Sequence, residues 1–223
     1  MKRSELNRIM GEAMDFIGQM NFKLPPFAGW SPDQWNSKGQ EYDEIRDNML
    51  GWDITDFGKG DFKKFGLVLF TARNGNYHKR KYRKNYCEKI MIAGEMQVTP
   101  MHYHLLKMED IINRGGGNLV MKVYNSTKKG RLSASEVILS IDGVKKRFPA
   151  GSEVVLSPGE SVSVPPFLYH SFYARKGKGK VLAGEISAVN DDRTDNFFLE
   201  EAGRFPEIEE DAEPEFLLCN EYP

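Results

Sequence analysis

Four histidines occur in the chain, at positions 78, 102, 104 and 170. One pair, His102 and His104, has the spacing that on a β-strand turns both imidazoles to the same side. Glu109 follows after four intervening residues, room for a turn into the next strand, and its carboxylate completes a mixed nitrogen and oxygen set. His170 stands about 60 residues further on, behind Pro165-Pro166 and at the head of another strand-like run, where it can close the set from a facing strand. A lone histidine is ordinarily a satisfied core or surface residue. Three imidazoles with one carboxylate instead suit Mn, Fe, Co, Ni or Zn, and an oxygen ligand with open positions points to a catalytic rather than a closed structural site.

Such residues need a rigid scaffold, and the chain's texture predicts a β-barrel or sandwich. From Phe65 onward, short apolar or alternating runs are separated by turn residues. The candidate strands are 65–70, 88–92, 96–104, 119–124, 137–141, 145–148, 154–156, 161–164, 170–174 and 180–186. Asp142-Gly143 is a two-residue hairpin signal, and Ser157-Pro158-Gly159-Glu160 marks another tight turn. Ahead of these, Leu6, Ile9, Met10, Ala13, Ile17 and Met20 recur at helical spacing, with Ser4 as the expected cap. Pro25 and Pro26 end that helix, and Ser31-Pro32 starts a second one.

With 223 residues, no repeat and no low-complexity linker, one domain is expected. Residues 1–60 are read as a helical extension, 61–190 as the barrel and 191–223 as an acidic extension carrying Glu207, Glu209, Glu210, Asp211, Glu213 and Glu215. No run of about 18 apolar residues is present for a membrane span. The charged N-terminus does not read as a secretory signal, so a cytoplasmic protein is expected. Cys87 and Cys219 fit no redox or zinc spacing and read as structural thiols. A formal net charge of −1 leaves nucleic-acid binding to the basic run at 79–84 alone, and the bland reading of that run is a solvated loop.

The run from Gly94 to Gly116, with His102-Tyr-His104, four residues, Glu109, six residues and Gly116, resembles the first cupin motif, although seven residues rather than five precede His102. Gly151, Pro158-Gly159 and His170 are similar to a stretched second motif. Gln97, Pro100, His102 and His104, then Lys107, Glu109-Asp110-Ile111-Ile112-Asn113-Arg114-Gly115-Gly116-Gly117, Gly184-Glu185 and Asn190-Asp191-Asp192, closely resemble the cupin D-lyxose isomerases. That resemblance implies an all-β cupin and a cytoplasmic, manganese-preferring homodimer. It also implies interconversion of D-lyxose with D-xylulose, and often of D-mannose with D-fructose, and metal ligands at His102, His104, Glu109 and His170. Cobalt, iron or zinc could substitute for manganese.

An aldose to ketose conversion moves hydrogen between adjacent carbons, so it needs a base or acid as well as a Lewis acid. Lys107, two residues before Glu109, shares its inward face if the strand begins there, and could stabilise an enediolate or donate a proton. Its bland reading is an exposed strand-edge lysine. Ala183, Glu185 and Ser187 alternate with Leu182, Gly184 and Ile186, which puts Glu185 toward the lumen as the preferred base. Glu200 and Glu201 are the competing bases. Strand parity points Gln97 away from His102 unless Pro100 introduces a bulge. Asp191, Asp192 and Arg193 are candidate lid or sugar contacts, and Trp30, Trp35 and Trp52 could stack on a sugar or serve as core. Two rival readings stay open: a non-haem iron dioxygenase with the same ligands, and a non-catalytic sugar-binding, sensing or storage cupin.

Overall fold

The computed structural model describes all of residues 1–223. The helices are α1 (Arg3–Gln19), α2 (Pro32–Asn36) and α3 (Asp43–Asp47), with short 3-10 turns at Pro26–Gly29 and Gln40–Tyr42. The strands begin with β1 (Gly51–Thr55), β2 (Leu67–Arg73), β3 (Tyr86–Ala93), β4 (His102–Tyr103), β5 (Glu109–Gly116) and β6 (Leu119–Asn125). They continue with β7 (Val137–Ile141), β8 (Val144–Phe148), β9 (Glu153–Leu156), β10 (Ser161–Val164), β11 (Leu168–Ala174), β12 (Val181–Ala188) and β13 (Phe197–Phe198). The protein is mostly β, and no helix is long and apolar enough to cross a membrane.

Eight strands form one sheet in the order β1-β2-β3-β12-β5-β10-β7-β8, and five form a second in the order β13-β4-β11-β6-β9. Inward residues of both enclose one apolar core, including Met91, Ile111, Met121, Val123, Val162 and Phe172. Strand alternation gives the larger sheet a second buried face. Trp52, Ile54, Val68, Phe70, Ile90, Ile92 and Leu182 point outward and meet Leu6, Ile9, Met10, Ala13 and Ile17 of α1. Each large aliphatic side chain in that seam contributes about 1.5–3 kcal/mol by leaving water, so the amphipathic stripe is what docks the helix.

Several expectations are corrected. Ser4 does not cap α1: Lys2 takes the N-cap position without a side-chain bond, and the Ser4 hydroxyl donates to Asp211. The acidic tail supplies the cap from afar, because Asp211 also accepts the Ser4 backbone N–H, a favourable place for a carboxylate at a helix N-terminus. Next to it, Glu210 and Glu221 clasp the buried Arg3 guanidinium. The 1–60 segment is not wholly helical or irregular, since Gly51–Thr55 pairs with β2 along its whole length. The 96–104 strand shrinks to two residues. Met96 has φ 55°, Pro100 has no N–H to give to a ladder, and Gln97 pins the bend by bonding Gly94 and Phe62. Asp142 and Gly143 both have positive φ, 48° and 81°, as the predicted hairpin turn requires.

The three tryptophans belong to the outer layer. Trp35 stacks on Tyr222, Trp30 meets Trp35 and Tyr42 edge-on, and the Trp52 indole donates to the Ala28 carbonyl. In the basic run, Lys79, Lys81 and Tyr82 gather on Asp47, and Lys84 pairs with Glu44.

Candidate active site and metal centre

His102 and His170 are direct cross-strand partners in the antiparallel β4–β11 pair, so the short β4 is long enough to fix one imidazole beside another. Together with His104 they bring three ring nitrogens within 4.8 Å of one another. Each ring is oriented through its Nδ1, which donates to a main-chain carbonyl: His102 to Pro100 at 2.8 Å, His170 to Leu168 at 3.1 Å and His104 to Asp195. That arrangement fixes the tautomer and leaves Nε2 as the free lone pair, the form a metal takes. Burial, and then the other two histidines, holds His102 well below its usual pKa. Burial, and then the Lys107 charge, lowers His104 to about 4.

Glu109 opens β5 with its carboxylate turned inward. Its Oε1 lies 2.9 Å from His170 Nε2 without the alignment of a hydrogen bond, and its Oε2 is 2.8 Å from the Lys107 ammonium. Burial pushes this carboxyl up, but Lys107 and the histidines outweigh it and hold Glu109 well below the usual range. His104 Nε2 and Glu109 Oε1 are buried atoms without a hydrogen-bond partner. Orphaned donor atoms converging on one point, with lone pairs free and one anionic charge, fit a divalent ion held by His102, His104, His170 and Glu109.

Lys107 is 3% exposed rather than a strand-edge lysine. Besides Glu109, its Nζ reaches Glu185 Oε1 at 3.0 Å and the Asn190 side-chain oxygen at 3.3 Å. Sheet register explains Glu185: it sits opposite Lys89 on β3 and Ile111 on β5, on the same face as Ala183 and Ser187. Lys89 Nζ lies 3.5 Å from Glu185, and Ser187 donates to it. Burial alone would raise Glu185, yet Lys107 and Lys89 bring it below the ordinary carboxylate range. Burial opposes the charge on Lys107 too, but Glu109 and Glu185 prevail and raise its pKa.

The segment after β12 completes the pocket. The Asp195 carboxylate accepts the backbone N–H groups of Leu105, Leu106 and Lys107, while its carbonyl receives His104, so one residue sets both a ring and the loop carrying the ammonium. Replacing Asp195 by alanine is expected to weaken divalent-metal affinity about 10–100-fold, as loss of outer-shell support typically does, measured by competition with a metal chelator. Asp192, Asn196, Phe198 and Arg204 also line this cavity of about 210 Å³. Arg204 bridges Asp53, at 3.0 Å, and Asp192, at 3.1 Å. Asp192 and Arg204 also line a second, wider cleft of about 440 Å³ that includes Arg46, Asn76, His78 and Arg193. None of the three clustered histidines reaches that cleft.

Of the residues singled out from the sequence, the structure gathers His102, His104, Glu109, His170, Lys107, Glu185 and Asp192 into one pocket. Glu200 and Glu201 are exposed outside it, and Glu201 meets Lys59 only through its carbonyl. Gln97 and the tryptophans lie elsewhere, His78 pairs with Asp191 at the surface, and Arg193 belongs to the outer cleft. Sequence reasoning missed Lys89, Asp53, Asp195, Asn196 and Arg204. A charged residue on the inward parity of an apolar strand was the available signal for Lys89.

This fold is shared with a sugar isomerase: the crystal structure of the L-ribose isomerase of Cellulomonas parahominis matches it with a TM-score of 0.64 over 94% of this chain and 98% of that one, at 15% identity. The sequence is more specific. A family profile described as D-lyxose isomerase matches residues 1–222, and the chain belongs to that family of aldose–ketose isomerases. It is 48% identical over its full length to the D-lyxose/D-mannose isomerases of Escherichia coli O157:H7 and Serratia proteamaculans, covering 98% of each.

Proposed function

We propose that the protein is a metal-dependent cupin isomerase that interconverts D-lyxose with D-xylulose and D-mannose with D-fructose. The observation that carries this reading is the pocket itself. All four buried side-chain atoms that lack a hydrogen-bond partner, Asp53 Oδ1, His104 Nε2, Glu109 Oε1 and Asn196 Oδ1, belong to residues lining the cavity that also holds Lys107 and Glu185. Buried polar atoms are normally satisfied, and here the missing partners are a cation and a polyhydroxylated substrate.

A divalent ion bound by His102, His104, His170 and Glu109, manganese by family resemblance, would supply a Lewis acid for the oxygens on two adjacent sugar carbons. Glu185, ionised at neutral pH, accepts the proton from C2 of the aldose; the C2–H electron pair forms the C1–C2 double bond and the carbonyl pair moves onto O1, giving the anion of a cis-enediol. Lys107 places a positive charge beside the oxygen that becomes negative and stabilises it. The O2 hydroxyl proton then passes to O1, Glu185 returns its proton to C1, and the electron pair left on O2 forms the ketose carbonyl at C2. In the same reading the protein is a cytoplasmic homodimer, and the apolar side chains Phe167 and Phe197, which stack on Tyr103 and remain exposed, are the surface a second copy would cover.

The test is ketose formation from D-lyxose and D-mannose by metal-stripped protein supplied with Mn, Co, Zn or Mg. Turnover should require added metal and should vanish in His104→Ala. With C2-deuterated sugar, label should appear in solvent water. Full retention in the product would replace proton transfer by a hydride shift, and oxygen uptake without ketose would replace the isomerase by an oxygenase.

A further inference from the structure

Two of the four orphaned atoms are metal-facing, and the other two are not. Asp53 lies on β1, across the β2 and β3 strands from Glu185, in the row Asp53–Leu69–Met91. Its Oδ2 accepts a hydrogen bond from Arg204 Nε at 3.1 Å and lies 3.0 Å from Arg204 Nη2 in the same ion pair. Its Oδ1 is buried and receives nothing, although the side chain is only 3% exposed. The arginine is itself held by Asp192 at 3.1 Å. Asn196 Oδ1, one residue after the anchoring Asp195, is the second such atom. Both residues line the same cavity as the metal ligands.

From these positions we infer that Asp53 Oδ1 and Asn196 Oδ1 form the hydroxyl-recognition end of the pocket, accepting hydrogen bonds from sugar carbons that are not isomerised. The inference rests on the sugar-isomerase reading above. A buried acceptor with no donor costs free energy, and a sugar hydroxyl supplies the donor that the chain does not. A site built on a buried acceptor discriminates strongly against a substrate lacking the matching hydroxyl. Asp53 and Asn196 are thereby specificity-determining residues. The Arg204 bridge positions the first, and Asp195 positions the loop that carries the second.

The experiment is a set of double-mutant cycles between protein and substrate, using manganese-loaded protein. Steady-state kinetics with D-lyxose and its 3-, 4- and 5-deoxy analogues are compared in the parent, Asp53→Ala, Asp53→Asn, Asn196→Ala and Asn196→Asp. Binding of D-arabinitol, which cannot isomerise, is followed by calorimetry. Each alanine variant should raise KM and the alditol Kd about 10–100-fold while kcat changes less than about threefold. One deoxy analogue should lose that factor in the parent and nothing further in the matching alanine variant. The Asn and Asp variants keep an acceptor and a folded pocket and should recover part of the loss. Equal losses for every deoxy analogue in parent and variants would overturn the inference while leaving the isomerase intact. A parent enzyme that turns over no sugar overturns both.

Discussion

The Glu185→Gln protein is expected to isomerise D-lyxose about 100- to 10,000-fold more slowly than the parent, the range lost when a positioned acid–base group is removed. Glutamine keeps the size of the side chain and can still accept from Ser187, but it cannot take a proton from carbon. Lys107 retains its 2.8 Å contact with Glu109, so the Glu109 carboxylate stays anchored. Bound metal, counted by elemental analysis, should therefore remain at the parent level, and KM should change by no more than a few-fold. Exchange of C2 deuterium into solvent should slow in parallel with kcat. A loss smaller than tenfold, or exchange that survives while turnover falls, would reduce Glu185 to a hydrogen-bonding role and return the search to other carboxylates.

The clustering of the three histidines beside Glu109 was legible because two periodicities agreed. His102 and His104 share parity, and Glu109, Ile111 and Asn113 continue an inward face along β5. The alternation around Glu185 was equally plain, since Leu182 and Ile186 fall on the face opposite Ala183, Glu185 and Ser187. The length of β4 was not legible. Apolar residues from Met96 to Met101 look like a strand, yet their hydrogen bonds run to Phe172, Ala174 and Lys64 across an irregular bend, and tertiary context prevailed over pattern.

The hydroxyl-facing end was hidden for a different reason. In Gly51-Trp52-Asp53-Ile54-Thr55 the apolar residues Trp52 and Ile54 serve the outer seam with α1, while Asp53 and Thr55 face the pocket. That is a strand with its polar side turned inward, and it follows a helical stretch that masks it. Arg204 and Asn196 lie in a tail whose texture reads as surface extension. Only the fold reveals that Asp192, Asn196, Phe198 and residues 202–204 line the cavity, because β13 pairs with β4 beside His102.

Metal removal should have the other large effect, and it should be visible without any substrate. The four residues proposed to hold the ion lie on β4, the turn after it, β5 and β11, so only the folded chain presents them together. An ion at 100 times its Kd stabilises such a protein by about 2.7 kcal/mol. For a domain of this size that corresponds to a rise in Tm of about 5–11 °C. His104→Ala and Glu109→Gln should abolish the rise together with turnover, whereas Glu185→Gln should preserve it. In metal-free protein the histidines also set a pH dependence. Burial favours neutral His102 and His104 in the folded state, while unfolded imidazoles protonate near pH 6.5. The unfolded chain then binds more protons below that pH, so stability should fall as pH drops from about 6.5 toward 4. Thermal melts of stripped protein across that range, with and without manganese, test both signs. A Tm unmoved by metal at neutral pH would remove the ion from this pocket.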